Sequence, residues 1–102
     1  MKPRYLIENK APTGINDVTT GVRTRDGRTH RFDAYRAQLI GAGETSVVEN
    51  VGSIPPDFLD GVHESAAFDA FLFWAEFTDR DRVRWELVYD PANQQTSWRD
   101  LS

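Results

Sequence analysis

The sequence contains no cysteine. A disulfide framework, a thiolate zinc site and a thiol nucleophile are therefore excluded, and cysteine usage indicates no compartment. Long apolar runs are also missing, because Asp69 and Glu76 interrupt the longest one, residues 66–77. A membrane-spanning helix needs about 20 apolar residues, so we expect no direct membrane insertion. Residues 1–9 lack the apolar stretch of a signal peptide, and the chain equally fits a piece of a longer protein.

Basic residues are scarce in the second part of the chain. Residues 1–40 carry eight Lys/Arg and four Asp/Glu, whereas residues 41–102 carry four and twelve, and the net charge is −4. Domains that bind nucleic acid usually present a basic face and a basic pI. We therefore expect no nucleic-acid partner. The 102 residues, 39% of them hydrophobic and 12% aromatic, predict one soluble folded domain over residues 1–102.

Most of the chain alternates apolar and polar residues with the period of a β-strand. Strands are predicted at residues 4–9, 15–25, 29–32 and 45–51, the second with its alternation interrupted near Gly21. Asp26-Gly27 predicts a type I′ hairpin turn, because both central positions of that turn need positive φ. Residues 33–40 fit a helix as well as a strand, and we favour a strand. Residues 52–65 read as a long loop anchored by apolar side chains.

The segment from residue 71 to residue 89 is rich in aromatic residues and predicts a hairpin. In its first strand Phe71, Phe73 and Phe77 alternate with Leu72 and Trp74, and a charged turn at residues 79–82 precedes a second alternating strand. A last edge strand is expected around residues 96–101. About seven short strands predict an all-β, antiparallel, immunoglobulin-like β-sandwich, with a small antiparallel barrel as the alternative.

The order of these features resembles a known type of domain over most of the chain. INDVTTGVRT, then GAGET before SVVENV, then FWAEFTDRDRVRWELVYD is similar to the immunoglobulin-like accessory domains of actinobacterial proteins. The resemblance implies a β-sandwich module without a known catalytic site, often found beside a membrane-anchoring segment or another domain. An antibody-type domain would also need a cysteine pair, which this chain lacks.

No group of residues predicts catalysis or metal binding. His30 and His63 have no metal-ligating neighbour at useful spacing, and no serine lies in a Gly-x-Ser-x-Gly motif. Three carboxylates near the second hairpin, Asp79, Asp81 and Asp90, have poor calcium-loop spacing, since arginines separate them and no bidentate Glu follows. Two more, Glu76 and Glu86, are expected to face each other on the solvent side. We therefore predict no enzyme activity, no metal and no cofactor.

The aromatic residues are the candidates for binding. Trp74 either forms an exposed platform or lies beneath the 52–65 loop, where Phe58 can cap it; Trp98 either contacts a partner or closes the core. Our first hypothesis is a non-enzymatic module that binds protein, or itself as a homodimer, through a sheet face or an edge strand. The alternative is carbohydrate binding through Trp74 and Trp98. An enzyme using Asp79, Asp81 or His63 is the third hypothesis.

Overall fold

The computed structural model describes residues 2–60, 62 and 68–101. This part of the chain contains eight β-strands and two short 3-10 turns, Pro56–Leu59 and Phe68–Ala70, and no helix in it is long and apolar enough to cross a membrane. The strands are β1 (Tyr5–Glu8), β2 (Ile15–Thr24), β3 (Thr29–Arg31), β4 (Ala37–Ile40), β5 (Thr45–Val48), β6 (Phe71–Thr78), β7 (Arg84–Asp90) and β8 (Gln95–Asp100).

Two antiparallel sheets pack against each other, which confirms the predicted β-sandwich with eight strands in place of about seven. The large sheet has the order β3-β2-β6-β7-β8, and β4 pairs with the same strand, β2, as β3 does. The small sheet contains only β1 and β5. The apolar side chains between the sheets form one core cluster, which includes the fully buried Val18, Val22, Phe32, Val48 and Phe71.

The ten-residue strand β2 is the central element of the large sheet. Its pairing shifts between Asn16 and Thr19, where Asp17 has a φ of 50°, while the ladder with β6 runs unbroken from Thr19 to Thr24. Near Gly21 burial does not alternate, in agreement with the interruption predicted there, because residues 18–22 are all buried; the break in the ladder lies separately at Asp17. Gly21 has another role in β2, because the side chain of Trp74 occupies the space beside it.

The predicted hairpin at Asp26-Gly27 is present, but its turn is not type I′. The Gly27 N–H donates to the carbonyl of Thr24 at 3.0 Å, which centres the turn on Arg25 and Asp26. Among residues 24–28 only Gly27 has positive φ, 100°. Since the Thr24 N–H also bonds to the Arg28 carbonyl, three residues connect the strands, and a three-residue connection with a left-handed residue at its end is another common hairpin turn.

The segment 33–40 contains a strand and no helix. The Tyr35 N–H donates to the Phe32 carbonyl at 3.0 Å in a turn, and β4 begins at Ala37 and pairs with β2. The favoured strand is thus confirmed from residue 37 onward. Pairing to β2 decides the conformation here, since the local residue preferences fit both states.

Candidate binding groove

The two sheets differ in width, and this difference leaves part of the large sheet uncovered. Thr20, Ala75, Leu87 and Trp98 lie in one cross-strand row running from β2 to β8. The Thr20 hydroxyl lies 2.7 Å from the Tyr5 hydroxyl of β1, so this row faces the small sheet. Strand β1 covers the β2 and β6 end of the row. The β7 and β8 end extends past β1 with no described strand above it.

The uncovered area and β1 together form a groove of about 1000 Å³, which we call the β1–β8 groove. Residues 5–10 line one wall, and strands β6, β7 and β8 form the floor. Apolar and aromatic side chains dominate the floor; they are Phe73, Phe77, Trp85, Leu87, Tyr89 and Trp98. This volume lies at the upper end of the range found for small-molecule sites with mostly apolar lining.

Trp98 is the most exposed aromatic side chain of the groove. It lies on the edge strand β8, in which every residue is exposed, and 59% of its surface is accessible. Its ring packs edge-on against Phe77, with centroids 5.9 Å apart and planes at 89°. The contact fixes the orientation of the indole while leaving most of its surface open.

Trp85 and Asp79 form the end of the groove near the β6–β7 turn. The Trp85 Nε1–H donates to Asp79 Oδ2 at 2.9 Å, and the backbone N–H groups of Val83 and Asp81 donate to Oδ1. These bonds, the indole bond first, hold the pKa of Asp79 below its ordinary value. The groove therefore ends at an ionised carboxylate in a fixed position.

The backbone of β1 forms an open edge along the groove. The Asn9 N–H donates to the Glu44 carbonyl at 2.9 Å on the β5 side, and opposed residues of an antiparallel pair are hydrogen-bonded alternately. Tyr5 and Ile7 therefore bond to β5, whereas the N–H and C=O groups of Leu6 and Glu8 point away from it. No described strand pairs with β1 on that side.

Asn9 holds the end of β1 in place. Its side chain is buried, and Nδ2 donates to the carbonyls of Thr13, Ile40 and Gly41 at 2.9 to 3.1 Å. Its Oδ1 accepts from the Ala11 N–H. This amide ties β1 to two neighbouring loops, so the open edge rests on a rigid support. Nothing in the local sequence distinguishes Asn9 from an ordinary turn residue.

Trp74 is buried on the outer face of the large sheet and cannot act as an exposed platform. Its side chain points to the outer face of the large sheet, is 5% exposed, and donates Nε1–H to the Val22 carbonyl at 3.2 Å. The ring lies against Gly21, where an added Cβ would approach Cζ2 to 2.6 Å. Of the expected cover, the 52–65 loop, the described residue Phe58 packs against Phe71 and His30 instead, and the backbone of β2 contacts this indole.

Phe58, the third predicted binding residue, also belongs to the core. It is 8% exposed, and its ring contacts Phe71 on one side and His30 on the other. The Arg28 guanidinium lies over the same ring, 5.1 Å from its centroid. Phe58 thus caps the Phe71 end of the sandwich, and it does not line the β1–β8 groove.

The other polar candidates are not brought together. Asp79 and Asp81 lie in the β6–β7 turn, while the Arg25 guanidinium binds both oxygens of Asp90 and keeps the pKa of that carboxyl below its usual range. His63 lies outside the described residues. Within the described ranges no three His, Asp or Glu side chains are placed to hold a metal ion.

Glu86 differs from the expected solvent-face carboxylate. It lies on the outer face, but it is 4% exposed and binds Arg23 at 3.0 Å and Arg99 at 3.1 Å. Glu76, directly opposite in the β6–β7 ladder, lies 3.8 Å from Arg84. The two arginines on Glu86 come from strands β2 and β8, so this carboxylate joins three strands of the large sheet.

Comparison with protein-family models, with curated proteins and with solved structures gave no match. Of the three predicted binding residues, only Trp98 lies at an open surface.

Proposed function

We propose that this protein is a non-enzymatic interaction module of the immunoglobulin-like sandwich type, and that the β1–β8 groove binds a polypeptide segment of another protein. The observation that carries the proposal is the open apolar floor beside β1, with Trp98 59% exposed at its outer edge. Contiguous apolar surface on a folded monomer usually marks a site of interaction. Tryptophan and tyrosine are also enriched among the residues that dominate binding energies at interfaces.

The polar groups of the groove favour a polypeptide over a sugar. Carbohydrate hydroxyls need several side-chain hydrogen-bonding partners in addition to a stacking ring. The two polar side chains best placed for this, Asn9 and Asp79, already bond within the protein. A polypeptide, in contrast, can use the unpaired backbone of β1. Carbohydrate binding through Trp98 is the alternative, and its predicted second ring, Trp74, is buried.

A second folded copy fits the groove less well than an extended segment. Symmetric antiparallel pairing of two β1 strands places the two-fold axis perpendicular to the small sheet. Both large sheets would then lie in one layer, and each extends past its own β1 by two strands. The β7 and β8 strands of the two copies would occupy the same space. An extended segment without a second layer avoids this collision.

Selection of random peptides displayed on phage tests the proposal. Peptides enriched on the protein are expected to lose roughly tenfold or more in affinity for Trp98→Glu, because a charge replaces the ring at the edge of the floor. The matched control is Leu39→Glu on β4, whose side chain has a similar exposure of 62% and lies outside the groove. It is expected to bind the peptides as the unmodified protein does.

Three results would contradict the proposal. The selection yields no enriched peptide, or the enriched peptides bind Trp98→Glu unchanged, or a glycan array gives ligands that depend on Trp98 while peptides do not. If the solution mass of the unmodified protein rises with concentration while Trp98→Glu stays monomeric, the groove binds a second copy of this chain and not another protein.

A further inference from the structure

We propose that the segment in the β1–β8 groove binds as an added β-strand on the open edge of β1, with apolar side chains at alternate positions on the floor and a basic residue at the end that lies next to Asp79. The inference rests on the proposed function and specifies the mode of binding and the chemistry of the partner.

The β1 wall of the groove offers backbone hydrogen-bonding groups to a ligand. Leu6 and Glu8 are two residues apart, and their backbone groups point to the groove side of β1. Their two-residue spacing matches an incoming strand, in which every second residue directs its N–H and C=O groups to the same side. Neither amide bonds to another described residue. An edge of this kind is the standard acceptor for strand addition.

The apolar floor lies beneath the position that a strand added beside β1 would occupy. Neighbouring strands lie about 4.8 Å apart and packed sheets about 10 Å apart. Tyr5 of β1 contacts Phe73 of β6 with ring centroids 5.1 Å apart, so β1 lies above β6. A strand added beside β1 therefore lies above β7, and its inward side chains meet Leu87 and Trp98. Its other side chains point to solvent, which gives the alternate apolar pattern.

The charged side chains of the groove favour a cationic segment. The charged side chains that line the groove are Glu8, Lys10 and Asp79, with a net charge of −1, in a chain whose net charge is −4. The Asp79 carboxylate is fixed at one end by its bonds to Trp85 and Val83. Complementary potentials favour encounter with a cationic segment and disfavour an anionic one.

A synthetic peptide of alternating valine and threonine with a lysine at each end is the probe, and backbone hydrogen exchange is the readout. Binding is expected to slow exchange of the Leu6 and Glu8 amides roughly tenfold or more at saturating peptide. The Asn9 amide, already bonded to Glu44, serves as an internal control and should not change. The same peptide with its β1-facing amides methylated should give no such protection.

A variant of β1 supplies an independent measurement. Leu6→Pro removes one groove-facing N–H and leaves the bonds to β5 intact, as proline at an open edge does. We expect it to stay folded and to bind the peptide several-fold more weakly. Glutamate in place of the terminal lysines should also weaken binding at low salt, and added salt should reduce the difference.

The outcomes separate this inference from the proposed function. A change of tryptophan fluorescence on peptide addition, with unchanged exchange at Leu6 and Glu8, overturns strand addition but leaves the groove, which Trp85 and Trp98 line, as a binding site. No response of either probe also overturns strand addition, and the phage selection then decides the proposed function alone. Equal binding of the lysine and glutamate peptides overturns the assignment of a basic partner.

Discussion

At the scale of the residue, the most constrained position is Gly21 in the middle of β2. An added Cβ would lie 2.0 Å from the His30 carbonyl oxygen and 2.6 Å from the Trp74 ring. Both neighbours are fixed, the first as backbone of the paired strand and the second by its bond to the Val22 carbonyl. Glycine is therefore required here for space, and positive φ is not the reason.

We predict that Gly21→Ala lowers the free energy of unfolding by about 2–3 kcal/mol, because β3 or the Trp74 ring must move. Chemical denaturation measures the change. The control is Gly14→Ala. The atom nearest to its added Cβ is Leu39 Cδ1 at 2.8 Å, the flexible end of a side chain, and the other neighbours lie at 3.6 Å or more. A loss at Gly14 as large as that at Gly21 would contradict the explanation.

Arg82 in the β6–β7 turn has a φ of 64°, a conformation that costs a side-chain-bearing residue about 1 kcal/mol and glycine little. We predict that Arg82→Gly raises the unfolding free energy by about 0.5–1 kcal/mol, measured by chemical denaturation. Arg80→Gly in the same turn removes a like charge where φ is not positive. It should not stabilise, and an equal gain in both variants would assign the effect to charge.

Tyr5 predicts a pH dependence. Burial, partly opposed by the hydrogen bond to Thr20, raises the pKa of Tyr5 to about 12 from an ordinary value near 10. The folded state retains the Tyr5 proton to a higher pH than the unfolded state does, so the contribution of Tyr5 to stability is complete below pH 10. It is lost, by about 2 kcal/mol, as the pH rises from about 10 to about 12.

Denaturation of the unmodified protein and of Tyr5→Phe over that pH range measures this loss. The phenylalanine variant has no hydroxyl to ionise, so its curve should fall less steeply. Parallel curves from about pH 9 to about pH 12 would contradict the assignment.

At the scale of the element, the two edges of β1 differ in their backbone hydrogen bonding. Its Tyr5 and Ile7 backbone groups bond to β5, whereas those of Leu6 and Glu8 lie along the groove. We predict that Leu6→Pro lowers the unfolding free energy by less than about 1 kcal/mol. Ile7→Pro should lower it by about 3 kcal/mol, because it removes a bond to β5 in the small sheet. Equal losses on thermal or chemical denaturation would show that the proposed alternation is wrong.

The strands themselves were largely predictable from the sequence, and the neighbours of their side chains were not. The period of two in residues 71–89 gives both strands of the second hairpin and assigns Phe73 and Trp74 to opposite faces. It does not indicate that Gly21, more than fifty positions earlier, pairs with Trp74 and buries its ring. Register between distant strands depends on tertiary packing, which local periodicity does not encode.

The buried state of Phe58 and Glu86 has the same origin. Phe58 reads as a loop anchor, and only the packed structure shows that the loop covers Phe71. Glu86 reads as solvent-facing, since its two arginine partners come from strands far away in sequence. Trp98 was a candidate from its position in a late edge strand, but the groove around it follows from the unequal widths of the sheets.

At the scale of the whole molecule, the mismatch between a two-stranded and a six-stranded sheet is the central feature. The core cluster fills the space between the large sheet and β1, β5 and residues 52–60. The inner face of β7 and β8 remains apolar beyond that region, and β1 borders it with an unpaired edge. A partner strand at this position would complete both the hydrogen bonding of the small sheet and the cover of the large one.

Backbone hydrogen exchange of the free protein, resolved by residue along β1, tests this account most directly. We predict fast exchange at Leu6 and Glu8, close to the rate of an unstructured chain, and exchange slowed by β5 at Tyr5 and Ile7. Strong protection at Leu6 and Glu8 in the free protein would contradict the account, because the edge of β1 would then already be covered.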